Sequence, residues 1–286
     1  MRDVCFLTTD DLTGYTFDDE LAVAPLASLG WQVSYECWKN NAAEWNRYEA
    51  VVIRTPWDYQ DDPDSFLQAL KRIEDSGTRL QNPLQIVEWN LNKRYLSDLE
   101  AKGIPVVETA FSGGGMDERK FQQFMEIAGT DEIVIKPTVS ATAQDTFRLR
   151  EFDAEVARKF DGREFMMQPF MESITREGEY SLFYFDGEFS HAILKSPRSG
   201  DFRVQEEHGG LISPAEPETE LSNLGDRVLE SLGERLLYAR IDAVRGSSGG
   251  FEIMEVELIE PALYFRMDQG SAARFARAFD QRMNEL

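Results

Sequence analysis

Residues 251–258 read Phe251-Glu252-Ile253-Met254-Glu255-Val256-Glu257-Leu258, an alternating run around which the rest of the chain can be organised. Side chains two apart in a strand share a face, so Glu255 and Glu257 stand about 7 Å apart on one side. Two like charges there need a cation or open water. The preceding apolar stretch, 239–244, carries one carboxylate, Asp242, and Gly246-Ser247-Ser248-Gly249-Gly250 reads as the turn of a hairpin. Folding about that turn sets Asp242 opposite Glu255 to within one residue. Three oxygen ligands of this kind suit Mg²⁺, which binds through one or two carboxylates, waters and substrate phosphates. An edge strand with a solvated acidic face accounts for the same letters equally well.

Between this hairpin and the middle of the chain the pattern predicts strands at 164–168, 180–185 and 189–194 and a helix at 221–237; beyond it, a helix at 271–283. The first ninety or so residues alternate apolar runs with amphipathic stretches in the βαβ manner. Strands are expected at 4–8, 32–37 and 50–54 with a short piece around Leu80, and helices at 19–29, capped by Asp18 and Asp19, and at 63–74. Such a parallel sheet binds ligands beyond the carboxyl ends of its strands. From Trp89 the pattern turns α+β, with a helix at 92–102 stopped by Gly103, strands at 106–110 and 132–136, and a helix at 118–128. The Gly113-Gly114-Gly115 run before that helix reads as a plain loop, since no strand-to-helix turn surrounds it. The fold class is therefore α/β: an N-terminal parallel unit (1–88), a middle unit (89–167) and a C-terminal unit (168–286), with no internal repeat.

With 286 residues, 42% of them hydrophobic and 12% aromatic, the chain has the material for a full core and for two or three subdomains. Its formal net charge of −22 and lack of a basic stripe exclude nucleic acid as a partner. No segment approaches the roughly 20 continuous apolar residues that span a bilayer, and residues 1–11 begin a strand instead of a signal peptide, so no membrane and a cytoplasmic location are expected. Cys5 and Cys37 lack a CxxC spacing and read as buried thiols, without a disulfide or metal role. In so acidic a chain an anionic substrate must be drawn in by local cations, which makes each Lys or Arg inside an apolar run informative.

Lys136 ends the apolar run Ile133-Val134-Ile135-Lys136-Pro137 and is followed by the small-residue loop Thr138-Val139-Ser140-Ala141-Thr142-Ala143. An ATP phosphate fits such a lysine, with hydroxyls and N–H groups of the loop, Ser140 and Thr142 among them, covering the other phosphates. A side chain reaching out to water is the plainer reading. Lys93 opens a helix and by itself reads as a surface residue. Phe165-Met166-Met167-Gln168-Pro169-Phe170-Met171 is an apolar strand broken by proline, which exposes backbone groups beside Phe170 and Met171 in a way that suits adenine, although core packing explains the same residues. Glu179 starts the next strand, where a carboxylate accepts hydrogen bonds from ribose hydroxyls. The segment 195–203, from Lys195 to Arg203, then His208-Gly209-Gly210, is cation-rich; it is either a surface loop or a group that neutralises a transferred phosphoryl.

Taken in order, Lys93, Ile135-Lys136-Pro137, Gln168-Pro169-Phe170, Gly178-Glu179, Arg203 with Gly209-Gly210, Asp242 and Glu255-Val256-Glu257 resemble the ATP-grasp superfamily, and within it the prokaryotic glutathione synthetase and ribosomal-protein glutamate ligase branch. The segments Arg54-Thr55-Pro56-Trp57-Asp58-Tyr59, Trp89-Asn90, Lys93-Arg94-Tyr95-Leu96 and 138–146 are similar to those of O-ureido-D-serine cyclo-ligases of cycloserine biosynthesis. The resemblance covers nearly the whole chain. It implies an α+β ATP-grasp fold and an ATP- and Mg²⁺-dependent carboxylate–amine ligase that works through an acyl phosphate on a small amino-acid-like substrate, with intramolecular ligation as one form. It also implies that Lys93 and Lys136 contact the phosphates, that Gln168, Phe170 and Met171 hold adenine, and that Glu179 takes the ribose. Asp242, Glu255 and Glu257 would hold two Mg²⁺ ions, for which Mn²⁺ is a substitute, and Arg203 would stabilise the acyl phosphate. Two positions depart from glutathione synthetase: the phosphate loop has Ser, Ala and Thr in place of glycines, and Glu257 replaces an asparagine.

The first strand runs out into Thr8-Thr9-Asp10-Asp11 and the third into residues 54–59, so cations, acids and aromatics meet on one rim. There Arg54 is expected to pair with a substrate carboxylate, Asp10 or Asp58 with an ammonium, and Trp57 or Tyr59 to close a wall. Packing of Trp57 and Tyr59 between subdomains, with Arg54 bridging to an acid, is the competing reading. A kinase-like phosphotransferase and a non-catalytic nucleotide-binding protein are the alternative functions, and association into a homo-oligomer is left open.

Overall fold

The computed structural model describes residues 1–141 and 143–285. Near the N-terminus, β1 (Arg2–Thr8), β2 (Trp31–Cys37), β3 (Ala50–Thr55) and β4 (Arg79–Gln81) form a parallel sheet in the order β2-β1-β3-β4. β3 is buried along its whole length, as a strand covered on both faces must be. The covering helices are α1 (Val23–Ser28) and α2 (Pro63–Asp75). α2 starts where the Asp62 carboxylate accepts the Ser65 N–H, with Pro63 in the first turn, and it buries Phe66, Ala69, Leu70 and Ile73 on one face. The helix expected at 19–29 is instead a 3-10 turn (Asp19–Ala22) leading into α1. Neither acid caps it, because Asp18 pairs with Arg266 and Asp19 with Arg54.

The helix expected at 92–102 is shortened to α4 (Tyr95–Ala101), and it is preceded by a helix that the sequence pattern did not predict, α3 (Leu84–Asn90). Between them the Lys93 N–H donates to the Thr138 carbonyl at 2.8 Å, a bond to another part of the chain that a continuous helix would not make. There follow β5 (Ala110–Ser112), α5 (Glu118–Ala128), β6 (Ile133–Pro137), β7 (Phe147–Leu149), α6 (Ala154–Arg158) and β8 (Phe165–Pro169), whose strands form an antiparallel sheet in the order β5-β8-β6-β7. The strand expected at 106–110 is reduced to a bridge between Val106 and Ile253, since Pro105 and Val107 pair their backbone with Ile253 before β5 begins. β8 runs across positions 167 and 168.

The remaining elements are α7 (Glu172–Arg176), β9 (Glu179–Phe185), β10 (Glu188–Ser196), β11 (Leu211–Ala215), α8 (Thr219–Leu232), β12 (Tyr238–Arg245), β13 (Phe251–Glu257) and α9 (Ser271–Glu285). Their strands form an antiparallel sheet in the order β11-β10-β9-β12-β13. α8 stops five residues short of the expected end because Gly233 turns to φ 74°. α9 carries Phe275 and Phe279 into one core with Val4 and Phe6 of β1 and with Phe183 and Phe185 of β9, which ties the first sheet to the last.

The hairpin has the expected register: Asp242 faces Glu255, with a bulge between Asp242 and Ala243. β13 is the last strand of its sheet, yet side chains cover its outer edge. Asn90 donates to the Val256 carbonyl at 2.8 Å and accepts the Leu258 N–H at 2.9 Å, while the Tyr95 hydroxyl accepts the Val256 N–H at 2.9 Å. Backbone groups that a free edge would leave to water are thereby paired, and the strand is held in place. No helix among the described residues is long and apolar enough to cross a membrane. Cys5 is buried and Cys37 half-buried, both as free thiols.

Candidate active site

Alternation along β12 puts Arg240 and Asp242 on the same face, and along β13 it does the same for Glu255 and Glu257. These four side chains form the floor of a cavity that is also lined by Lys136 from β6, Glu179 from β9, Lys195 from β10, residues 168–171 at the end of β8 and just beyond it, and Trp57 and Tyr59 from the segment after β3. Residues from or next to all three sheets thus meet around one space.

Each carboxylate of the floor is matched to a cation. Asp242 accepts hydrogen bonds from Ser181 Oγ at 2.6 Å, from Lys195 Nζ at 3.1 Å and from Arg240 Nη2 at 3.1 Å. Burial by itself would raise its carboxyl, but Arg240 and Lys195 outweigh burial and bring it down to about 2. Glu255 lies 3.0 Å from Lys93 Nζ, which also donates to the Ser140 carbonyl at 2.8 Å. Its carboxyl is raised by burial but lowered further by Lys93 and Lys136, ending below the usual range. Glu257 shares Arg240 with Asp242. For Glu257 burial prevails over the pull of Arg240, and Glu255 and Asp242 add to it, so its carboxyl stands above the ordinary range. Lys195 also pairs with Glu179; burial alone would lower its ammonium, and Asp242 with Glu179 more than reverse this.

The three carboxylates expected to hold metal are brought to one cavity and are paired with cations there. Asp242, Glu255 and Glu257 line one cavity, but Arg240, Lys195 and Lys93 are interposed, and no group of three or more acidic, His or Cys side chains placed to hold a metal occurs among the described residues. The physical reason is that like charges brought this close and buried need counter-charges between them, and Arg240 serves two of the three. Lys136 is half-buried without an ion-pair partner among the described residues, and burial lowers its ammonium, with Lys93 adding to the effect and Glu255 opposing it.

At the end of β8, Gln168 is buried and donates to Thr109 Oγ1 at 3.0 Å. The Phe170 N–H bonds to the Glu132 carbonyl, and the Arg148 guanidinium lies 3.5 Å from the centre of its ring. Met171 packs toward Ile174 and Val204. Ser140 lines the cavity, and its hydroxyl donates to the Pro137 carbonyl at 3.3 Å. Thr142 lies outside the described residues. Arg203 lines the cavity and forms a fork with Asp201, with Nη2 to Oδ2 at 2.8 Å and Nε to Oδ1 at 3.1 Å.

The N-terminal rim divides. Trp57 and Tyr59 line the cavity; the Trp57 indole donates to the Glu260 carbonyl at 3.0 Å, and the Tyr59 hydroxyl lies beside the Glu260 carboxyl. Arg54 does not line it, and its bonds follow the competing reading of a bridge to an acid. Only 1% exposed, it donates from Nε and Nη2 to Asp19 at 3.1 and 2.9 Å and from Nη2 to the Pro261 carbonyl at 2.8 Å. A guanidinium buried so deeply takes its partner from the protein. Asp10 is exposed beside the Cys37 thiol, and Asp58 is held by Trp38 Nε1 at 2.6 Å and by Lys39; neither reaches the cavity. Sequence reasoning passed over Arg240, Lys195 as a strand residue, and Glu260. Arg240 had a legible signal, a cation two residues from Asp242 in an apolar strand.

A family model described as the N-terminal domain of D-cycloserine synthetase DcsG matches residues 4–82. The cycloserine biosynthesis protein DcsG of Streptomyces lavendulae is 33% identical over 267 residues, which is 86% of this chain and 87% of that protein. The crystal structure of D-cycloserine synthetase DcsG superposes with a TM-score of 0.86 at 28% identity, covering 98% of this chain and 99% of that one. A structure of the ATP-grasp ligase PsnB, complexed with a precursor variant, Mg and ADP, shares the fold with a TM-score of 0.68 at 16% identity and covers 98% of each chain. The chain belongs to the D-cycloserine synthetase DcsG family of ATP-grasp ligases, enzymes that form C–N bonds.

Proposed function

We propose that this ligase is ATP- and Mg²⁺-dependent and joins a carboxylate to an amine-type nucleophile through an acyl phosphate, on a small amino-acid-like substrate; the likeness to DcsG favours ring closure within one molecule. The observation that carries the reading is the pairing on the cavity floor. Lys93, Lys195 and Arg240 are spent on carboxylates, and Lys136 has no ion-pair partner among the described residues. A triphosphate gives these cations a second set of partners, and a divalent ion does the same for Asp242, Glu255 and Glu257. Their oxygens are the hard donors Mg²⁺ prefers, and one or two of them suffice beside phosphates and water. Once bound, the ion supplies positive charge against the phosphates.

The chain's own residues do the positioning. Lys93 and Lys136 hold phosphates under the loop that contains Ser140 and Thr142. The end of β8 and the residues just beyond it, Gln168, Phe170 and Met171, take the adenine, and Glu179 takes the ribose. Arg203 and Arg240 face the charge that develops when the acid accepts the γ-phosphoryl and when the nucleophile then displaces phosphate. In this reading residues 1–88 carry the substrate, 89–167 form a lid, and 168–286 hold the chemistry. The setting is cytoplasmic, where ATP is at hand.

The test is release of ADP and phosphate from Mg·ATP over a panel of amino acids and their ureido and hydroxamate analogues. ADP and free phosphate with a dehydrated product support the ligase. A stable phosphorylated product would instead make it a phosphotransferase, and nucleotide binding without turnover on any compound would leave only a binding protein.

A further inference from the structure

On the side given by the N-terminal sheet, the cavity wall is made by Trp57, Tyr59 and Glu260, which follows β13. Glu260 differs from the other buried or half-buried carboxylates of the cavity; Glu207, which also lines it without an ion pair among the described residues, is exposed to water. Glu179, Asp242, Glu255 and Glu257 each have a Lys or Arg within ion-pair distance, whereas among the described residues Glu260 has none. Its position is nevertheless fixed from a distant part of the chain, by the Trp57 indole that donates to its carbonyl at 3.0 Å, and the Tyr59 hydroxyl lies beside its carboxyl. Tyr15 and Phe17 pack against Trp57, with ring centres 5.1 and 6.4 Å away, and back that wall. Burial pushes the Glu260 carboxyl up to about 7, with Lys93 and Arg240 opposing from beyond ion-pair distance, and a ligand cation seated on it would hold it charged.

We infer that Glu260 is the group that receives the α-ammonium of an amino-acid substrate, with Tyr59 orienting its carboxyl and Trp57 offering an aromatic face. This rests on the ligase reading above and names the recognition residue at its substrate end, in place of Asp10 and Asp58. The ligand class is an α-amino acid with a free ammonium; Arg203 and Arg240, which line the same cavity, supply the opposite sign for its acidic end.

The test is calorimetric titration of wild type, Glu260→Gln and Tyr59→Phe, each with Mg²⁺ and a non-hydrolysable ATP analogue. The probes are O-ureido-D-serine and its deamino counterpart, 3-ureidooxypropanoate. Glu260→Gln should weaken the amino probe about 10- to 100-fold and Tyr59→Phe about 2- to 10-fold, the range for losing a charged or a neutral hydrogen-bond partner. The deamino probe should bind wild type and Glu260→Gln alike. Equal affinity of the amino probe for wild type and Glu260→Gln overturns the inference, as does equal affinity of the two probes for wild type, or no binding of either. Release of ADP by wild type is followed in parallel: an affinity difference without ADP release keeps Glu260 and removes the ligase reading, and ADP release without an affinity difference does the reverse.

Discussion

Arg54 in β3 and Arg240 in β12 are both cations inside apolar strands, 1% and 8% exposed, yet they serve opposite ends. Arg54 gives its bonds to Asp19 and to the carbonyls of Ile53 and Pro261, all of them fixed parts of the protein. Arg240 divides itself between Asp242 and Glu257, two carboxylates that border the cavity. A buried charge always needs a partner. Whether that partner is protein or ligand depends on what lies against that face of the strand, and here only the second arginine faces a cavity.

The largest expected effect is on the closed side of this comparison. Arg54→Ala leaves Asp19 buried and uncompensated, which costs about 3–5 kcal/mol. Urea unfolding should show it, with KM for substrate unchanged. Replacing both partners by apolar residues, Arg54→Met with Asp19→Leu, should recover much of the loss. A large rise in KM at unchanged stability would make Arg54 a ligand group and break the comparison.

On the open side, Lys136→Ala should lower ADP formation about 100- to 1,000-fold, the usual cost of losing one preorganised charge donor. It should not lower Tm, since burial already disfavours the ammonium and no ion pair is orphaned. Activity near wild type would remove Lys136 from the phosphate site. Next in size is the response to nucleotide: at 100-fold excess over Kd, Mg·ATP should add about 2.7 kcal/mol of stability, and ATP alone clearly less, because Asp242, Glu255 and Glu257 repel bare triphosphate. Equal thermal shifts with and without Mg²⁺ would count against those three residues as its ligands.

The difference between the two arginines also marks how far the sequence could be read. Strand identity, the hairpin register of Asp242 on Glu255 and the mixed α/β class follow from short periodicities, which are local. The break between α3 and α4, the reduced strand around Val106 and the end of α8 depend on partners far along the chain or on one backbone angle. The same holds for the site. Alternation puts Glu255 and Glu257 on one face, and the same hairpin register sets Arg240 opposite Glu257, but nothing local says that Lys93 reaches Glu255, or that Asp19, 35 residues from Arg54, closes on it. The pairs that decide function were written in tertiary contacts.

The smallest expected effect concerns Asp58, a rim acid that resembles a binding group in sequence and sits in a protein pair in the structure. Burial raises its carboxyl somewhat, but hydrogen bonds from Lys39, Trp38 and Thr9 outweigh that, and the net displacement is downward. A carboxyl with a lowered pKa in the folded state adds stability that is complete above its unfolded value, about 3.9, and is lost as pH falls through the folded value. Lys39 is about half exposed, so water and salt screen the pair and its worth is below about 1 kcal/mol. Asp58→Asn keeps an acceptor for the Trp38 indole and gives up the charge on Lys39. The variant should therefore trail wild type by a few tenths of a kcal/mol at pH 7 in urea unfolding. The gap should hold down to about pH 5 and close as the solution is taken toward pH 3. KM for an amino-acid substrate should not move, because Asp58 lies off the cavity. A tenfold rise in KM, with the stability gap as stated, would return the rim to the substrate site, and the contrast between a closed N-terminal pairing and an open cavity floor would then hold for Arg54 alone.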